Sequence, residues 1–306
     1  MGAGSMGIGI ALLLSQQNVS VTLHDNNPIV LEGAREKLKH QLQELQEYHL
    51  IGESAMDEAL KNVTYSVNLE NIQGSWMVIE AVPEILELKQ EVFQQIENIC
   101  ERSVILATNT SGLPINDLAQ NLMHPERFIG THFFMPASAI PLIEVIKGEK
   151  TSETVCHEVI DFYKQIGKKP VLIQKDVPGF IGNRIQHAMA REAISLFEAG
   201  VASAEDIDMV VRWSLGVRLL FTGPLEQRDL NGLDVHHHIA SYLYKDLENR
   251  TEPSEMLSKK VKLGELGLKT GKGFYQWTDE QQKTEMEKKN LKLLQLMQWL
   301  KEKHPE

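Results

Sequence analysis

Along the first half of the chain, short aliphatic and β-branched runs alternate with longer stretches in which apolar residues recur every three or four positions. The runs predict strands over 19–24, 63–66, 76–80, 104–108, 129–132 and 142–146, with 171–173 closing the series. The helical spacing predicts helices over 7–14, a very polar pair across 28–62 broken near Ile51-Gly52, and further helices over about 84–100, 114–121 and 151–167. Strands alternating with helices are the pattern of an α/β protein with a doubly wound, parallel sheet. After Pro178-Gly179-Phe180 the strand signal stops, and helices are expected over 183–199, 203–215, 233–245 and 254–263. A last helical pattern, 285–303, puts Leu293, Leu296, Met297 and Leu300 on one stripe opposite charged residues. The expected division is an α/β domain over 1–175, an all-α domain over 176–277 and a helical tail over 278–306.

The chain opens on Gly2-Ala3-Gly4-Ser5-Met6-Gly7, a GxGxxG loop running into a helix. In a dinucleotide site the first glycine makes the tight turn, the second lets backbone approach a pyrophosphate, and the third lets helix pack on strand. The N–H groups around Ser5 and Met6 then face the phosphates at the positive end of the helix. Asp25 closes the next strand, about 20 residues on, where a carboxylate binds adenosine ribose hydroxyls and repels a 2′-phosphate. Loop and acid together favour NAD over NADP. Asp25 alone also reads as a solvated turn residue in Asp25-Asn26-Asn27-Pro28. Such a loop follows a strand, and none stands ahead of Gly2. The sheet is therefore expected to lack its first, central strand, as from a misassigned start or a fragment.

Bulk properties narrow the partners. The 306 residues carry a formal net charge of −11, which argues against nucleic acid and anionic membranes. With 42% hydrophobic and 24% charged residues the composition is that of a globular protein, and no apolar run reaches the roughly 20 residues of a membrane span. Cys100 and Cys156 have no ligand-like spacing and read as reduced thiols of a cytoplasmic protein. His236-His237-His238 on a helix point about 100° apart, so no metal site is expected.

Polar groups at strand ends are the candidates for chemistry. Asn109-Thr110-Ser111 follows one strand, His132 closes another, and Glu144 lies inside the apolar run Leu142-Ile143-Glu144-Val145-Ile146. A carboxylate flanked by aliphatic residues needs a partner if buried. Paired with it, His132 would be a tuned base for a hydroxyl proton. Spacing equally allows a solvent-facing Glu144 and a satisfied core histidine.

Several motifs in one order decide between these. Asn109-Thr110-Ser111, Gly130-Thr131-His132-Phe133-Phe134-x-Pro136, Pro141-Leu142-Ile143-Glu144-Val145, Asp176-Val177-Pro178-Gly179-Phe180-Ile181-Gly182-Asn183-Arg184 and Lys269-Thr270-Gly271-x-Gly273-Phe274-Tyr275 resemble the 3-hydroxyacyl-CoA dehydrogenase family. The resemblance runs from Gly2 to about Trp277. It implies a Rossmann-type domain, an all-helical domain that dimerises, NAD as cofactor, and oxidation of a 3-hydroxyacyl substrate. It further implies His132 as acid/base with Glu144 as its partner, Ser111 on the 3-oxygen of the substrate, and Asn183 beside the histidine. On the cofactor side it implies Glu84, Lys89, Asn109 and Ser111 around the nicotinamide half, with Lys269 reaching toward the cofactor.

The chain departs from that family in two places. Met135 stands where the family usually has Asn, and Gln41 and Tyr48 stand where acyl-CoA members carry a Ser and a Lys that bind CoA, with Lys37 and Lys39 as substitutes. The stretch from Gly216 to Glu226, Ile140-Pro141-Leu142 and the tail resemble the lambda-crystallin (L-gulonate 3-dehydrogenase) and L-carnitine dehydrogenase branch, whose members oxidise free 3-hydroxy acids. Arg218 would then hold a substrate carboxylate, or else pair with a neighbour such as Glu226. The substrate expected is an acyl-CoA, with a free 3-hydroxy acid as the alternative. A nucleotide-binding or structural role without turnover is disfavoured by the joint presence of Ser111, His132, Glu144 and Asn183.

Overall fold

The computed structural model describes residues 1–303. Its order begins α1 (Ser5–Gln16), β1 (Val21–His24), α2 (Pro28–Glu47), α3 (Glu53–Lys61), β2 (Val63–Ser66) and β3 (Met77–Glu80). It continues with α4 (Leu86–Ile99), β4 (Ile105–Thr108), α5 (Ile115–Leu118), β5 (Phe128–Phe133), β6 (Leu142–Ile146), α6 (Glu153–Gln165) and β7 (Lys169–Ile173). Beyond these the described residues are helical: α7 (Gly182–Glu198), α8 (Ala204–Val210), a π-turn at Val211–Gly216, α9 (Val217–Leu219), α10 (Pro224–Asn231), α11 (Leu233–Leu243), α12 (Glu255–Lys262) and α13 (Asp279–Lys303). The α/β-then-helical plan read from the pattern is the plan observed.

Local chemistry explains the element ends. Asn27 caps α2 by accepting from Ile29 N (2.9 Å) and Val30 N, with Pro28 at the first helical position. Ser152 caps α6 through Val155 N (3.2 Å). α1 carries Ile8, Ile10, Leu12, Leu13 and Leu14, all buried, so it is apolar on every side and sits inside the unit.

The strands form two pieces. β1 pairs with β2 in parallel, and β3-β4-β5-β6-β7 form a five-stranded sheet. Between the pieces run only Met1 and Gly2: Met1 N donates to Ile79 O (2.9 Å), Ala81 N to Met1 O (2.8 Å), and Gly2 N to His24 O (2.8 Å). Below them a cavity of about 420 Å³ lies between Leu14, Val21, Met77, Ile79 and Phe162.

Two strands, β6 and β7, run opposite to β3, β4 and β5 and correct the expectation of a parallel sheet. β6 runs antiparallel to β5, while its other neighbour β7 is parallel to it. The link between β5 and β6, residues 134–141, holds no crossover helix, and parallel pairing requires one. The antiparallel register sets His132 directly opposite Glu144.

Phe93, Ile96, Phe128 and Ile105, Ile129, Val159 are fully buried on the sheet's two faces, each burial contributing roughly 1.5–3 kcal/mol. A third cluster joins α1, α2 and α3 through Leu12, Leu38 and Leu42, with Leu294 of α13 against it.

By contacts the chain divides into one unit of Met1–Arg184 with the tail from Lys289, and a second unit of Ile185–Lys288. In the second unit, Arg250 binds Glu198 (2.8 Å) and Glu248, and Tyr275 donates to Asp208 (2.7 Å). Among its described residues no hydrophobic side chain is fully buried, and Trp213, at 75% exposure, Phe221, Leu225 and Leu230 are all exposed.

Candidate active site

The site is built where β3, β4, β5 and β6 carry polar groups. Because β5 and β6 are antiparallel neighbours, His132 Nδ1 and Glu144 Oε2 lie 2.7 Å apart, both inside the fold. The other oxygen, Oε1, accepts from Gly182 N (2.8 Å) and Ile181 N (3.0 Å). Burial pushes the Glu144 carboxyl up, but the bonds from His132 and the two amides outweigh it and hold it below the ordinary carboxylate range. The Phe134 ring lies 4.7 Å and the Phe180 ring 5.7 Å from the imidazole, which keeps its surroundings apolar. The carboxylate thus engages Nδ1 and leaves Nε2 as the other ring nitrogen.

The loop after β4 is organised by Glu84. Its Oε1 accepts from Thr110 Oγ1 (2.7 Å), Ser111 N (2.7 Å) and Ser111 Oγ (3.0 Å). Burial raises the Glu84 carboxyl, yet these donors and Lys89 hold it below its usual value. Asn183 Nδ2 donates to Ser111 O (2.8 Å), and Asn109 Oδ1 accepts from Phe133 N (3.0 Å). Glu84, Ser111 and Asn183 thus share one hydrogen-bonded cluster and His132 and Glu144 a second, with Asn183 next in the chain to Gly182 and Asn109 bonded to the neighbour of His132.

Lys89 is in the first cluster but not at its surface. It is 1% exposed, and its ammonium binds Glu80 Oε1 (2.6 Å), Val82 O (3.1 Å) and Glu84 Oε2 (3.3 Å). Glu80, fully buried, also accepts from Val82 N (2.6 Å) and Thr108 Oγ1 (2.7 Å). The sequence reading missed Glu80, Thr108 and Thr110. A Glu inside the apolar run Met77–Glu80 carried the same signal that singled out Glu144.

The glycine loop fits a dinucleotide. Gly2 has φ +88°, and a Cβ on Gly7 would stand 1.9 Å from Gly2 O, so helix and loop meet at a distance only glycine allows. Nothing lies within 4 Å of a Cβ on Gly4, which leaves that face open to a ligand. No side chain caps α1, so the first-turn N–H groups around Ser5 and Met6 remain for phosphate oxygens. Asp25 Oδ2 accepts from Ala3 N (2.9 Å) and Oδ1 from Asn27 N (3.0 Å), fixing the carboxylate at the end of β1.

Two expected residues lie in the second unit. Lys269 is exposed in a short turn between Gly267 and Gly271, both at positive φ. Arg218 is exposed just after the π-turn and donates from Nε to Ser214 O (2.9 Å), while Glu226 accepts from Gly223 N (3.3 Å). No cluster of three metal-ligating side chains occurs among the described residues.

Comparison with known proteins gives the family. Residues 1–177 match the NAD binding domain of 3-hydroxyacyl-CoA dehydrogenase, and residues 179–277 match its C-terminal domain. The chain is 35% identical over 284 residues to 5-formyl-3-hydroxy-2-methylpyridine 4-carboxylate 5-dehydrogenase of Mesorhizobium japonicum, covering 92% of this chain and 91% of that protein. It is 36% identical to a probable 3-hydroxybutyryl-CoA dehydrogenase of Bacillus subtilis, over 91% of this chain and 96% of that one. Among solved structures, an NAD-dependent pyridine-carboxylate 5-dehydrogenase of the first kind superposes with a TM-score of 0.91 at 34% identity, over 98% of this chain and 96% of that one. The (S)-3-hydroxybutyryl-CoA dehydrogenase of Ralstonia eutropha gives 0.76 at 33%, over 91% and 97%. The chain belongs to the 3-hydroxyacyl-CoA dehydrogenase family and is an NAD-dependent oxidoreductase.

Proposed function

We propose that the chain moves a hydride from the 3-hydroxyl carbon of a 3-hydroxyacyl-CoA, such as 3-hydroxybutyryl-CoA, to NAD, as a step of fatty acid metabolism. The observation that carries this reading is the 2.7 Å contact of His132 Nδ1 with Glu144 Oε2. A carboxylate on Nδ1 fixes the proton there, so Nε2 accepts the substrate's hydroxyl proton, and the resulting imidazolium is stabilised by Glu144. NAD, when bound, supplies the hydride acceptor. In the reverse direction His132 returns the proton. Ser111 and Asn183 hold the 3-oxygen at the imidazole.

The chain's own cradle for the cofactor is Gly2, Gly4, Ser5, Met6, Gly7 and Asp25 at the adenosine and pyrophosphate end. Glu84, Asn109 and Ser111 serve the nicotinamide half, with Lys89 acting through Glu84, and the resemblance adds Lys269 as a further cofactor residue. A homodimer is supported by the helical unit's apolar side chains, none fully buried among the described residues. A helical unit of that size needs a covered face, and a second copy supplies it; sedimentation velocity at two protein concentrations tests this. Two free cysteines suit a reducing compartment, the cytoplasm. Among the described residues no helix is long and apolar enough to cross a membrane.

A second reading has its own support. The higher TM-score belongs to an enzyme named for a pyridine carboxylate, 0.91 against 0.76, and that likeness extends to 98% of this chain. Gln41 and Tyr48 offer no charge to CoA phosphates, and exposed Arg218 suits a substrate carboxylate. On this reading the substrate is a small free acid bearing a hydroxyl or aldehyde. An NAD(H) absorbance assay with acetoacetyl-CoA beside free 3-hydroxy acids and a 5-formylpyridine 4-carboxylate decides between them. Turnover on the acids alone overturns the CoA reading, and turnover on acetoacetyl-CoA alone overturns the second.

A further inference from the structure

Glu144 has two oxygens with two different tasks. Oε2 faces His132, whereas Oε1 accepts only main-chain donors, the N–H groups of Ile181 and Gly182. Those donors come from a segment shaped for the purpose. Val177 O accepts from Phe180 N (3.0 Å), closing a turn with Pro178 and Gly179 at its centre. Gly179 has φ +75° and Phe180 φ +51°, and a bulky residue in the left-handed region is uncommon. Phe180 is nonetheless held there, fully buried, with its ring 5.7 Å from the imidazole of His132. Strained backbone kept by packing is a recurrent mark of functional sites.

Gly182 is the tightest point. A Cβ on it would lie 2.4 Å from Phe134 Cζ and 2.8 Å from Cε1, with Glu144 Oε1 at 3.6 Å. Backbone therefore passes between the Phe134 ring and the carboxylate with no room for a side chain. The same Phe134 ring stands 4.7 Å from the imidazole. Any displacement at Gly182 must either move that ring toward His132 or draw the amides away from Oε1.

We propose that Gly182, with the left-handed turn at Gly179–Phe180, is a positioning element for the proton-transfer pair, clamping one oxygen of Glu144 with two amides so that the other is aimed at His132. None of these residues touches the reacting atoms. Their effect passes through Glu144. Charge-assisted bonds from amides to a carboxylate are stronger and shorter than neutral ones, and two on one oxygen fix the plane of the carboxylate. With its plane fixed, Glu144 cannot rotate away from Nδ1 when the imidazole gains its proton. This rests on reading His132 and Glu144 as the proton-transfer pair, and the test separates the two.

The first arm uses the unaltered protein. In NMR of the full chain, the amide signals of Ile181 and Gly182 are expected to shift together as Glu144 titrates at low pH. The shift should vanish in Glu144→Gln. Amides that ignore Glu144 overturn the proposal. The second arm follows the hydrogen-bonded Nδ1 proton of His132, which needs no substrate. Gly182→Ala is expected to weaken or remove that resonance, and Phe134→Leu added to it, by clearing the space, to restore it. A resonance unchanged in Gly182→Ala overturns the proposal.

Where acetoacetyl-CoA or a free acid is turned over, Gly182→Ala should lower kcat about ten-fold, the value of one charge-assisted hydrogen bond, and leave the KM for NAD unchanged. In a Glu144→Gln background the same substitution should cost little more, since its effect passes through Glu144. Full additivity with Glu144→Gln counts against the proposal. Should Gly182→Ala fail to fold, the first arm decides alone. Failure of the proton-transfer reading shows differently: His132→Gln would then keep its activity while both NMR arms still gave the expected result.

Discussion

Replacing Lys89 by Met separates two accounts of one residue. If Lys89 touches the cofactor, the substitution weakens NAD and spares stability. If it acts as the buried counter-charge of Glu80, stability falls first. Its 1% exposure and the 2.6 Å bond to a fully buried Glu80 favour the second account. Removing one partner of a buried pair typically costs about 3–5 kcal/mol, because a charge is left uncompensated. Glu80 would keep Val82 N at 2.6 Å and Thr108 Oγ1 at 2.7 Å, which places the loss toward the lower end. At roughly 2–4 °C per kcal/mol for a body of this size, the melting temperature should drop by about 6–12 °C. Glu80→Gln together with Lys89→Met removes both charges and should recover much of that loss. Circular dichroism melts of the three proteins, with the KM for NAD measured in parallel, make the comparison. A Lys89→Met protein melting within a degree or two of the parent, with a KM for NAD raised ten-fold, would refute the reasoning.

Three further outcomes are expected. His132→Gln should lower kcat by about 10²–10⁴-fold with NAD binding intact, read from single-turnover NADH absorbance and NADH fluorescence titration. Gly7→Ala, whose Cβ would stand 1.9 Å from Gly2 O, should force loop and helix apart and weaken NAD at least ten-fold in calorimetric titration; unchanged affinity would dissociate the loop from the cofactor. Glu144 sits below its ordinary range when folded, so its contribution to stability is fully present above the unfolded value near 4.3 and is lost as pH falls through the lower folded one. Melts taken from pH 6 down to pH 3 should therefore fall less steeply for Glu144→Gln than for the parent, and parallel curves would contradict the linkage.

The signals of short range were legible in the sequence. Short aliphatic and β-branched runs set between stretches of helical periodicity marked the strands and helices. The change of text after Pro178 marked the helical half, and the GxGxxG loop with Asp25 marked the nucleotide end. The antiparallel pairing of β5 with β6 was not legible, because strand direction depends on whether a connection leaves room for a crossover. The π-turn at Val211–Gly216 was missed as well, since its spacing is helical and only the hydrogen-bond register differs.

Two carboxylates show where the sequence stops. Glu80 ends the apolar run Met77–Glu80 and Glu144 lies inside Leu142–Ile146, and both are buried. Each text says only that a buried carboxylate must have a partner, because an unpaired one is too costly to keep. Which partner it has is a matter of sheet register and helix packing. β6 runs antiparallel to β5, so Glu144 faces His132. α4 brings Lys89 to Glu80, so that carboxylate holds the framework around Glu84 and Ser111. The Ser111–Asn183 bond joins residues 72 positions apart, and the clamp of Ile181 and Gly182 on Glu144 reaches across 37 and 38. Such contacts exist only once the sheet has formed and the chain has returned to it, so the sequence supplied the groups and the tertiary structure assigned their tasks.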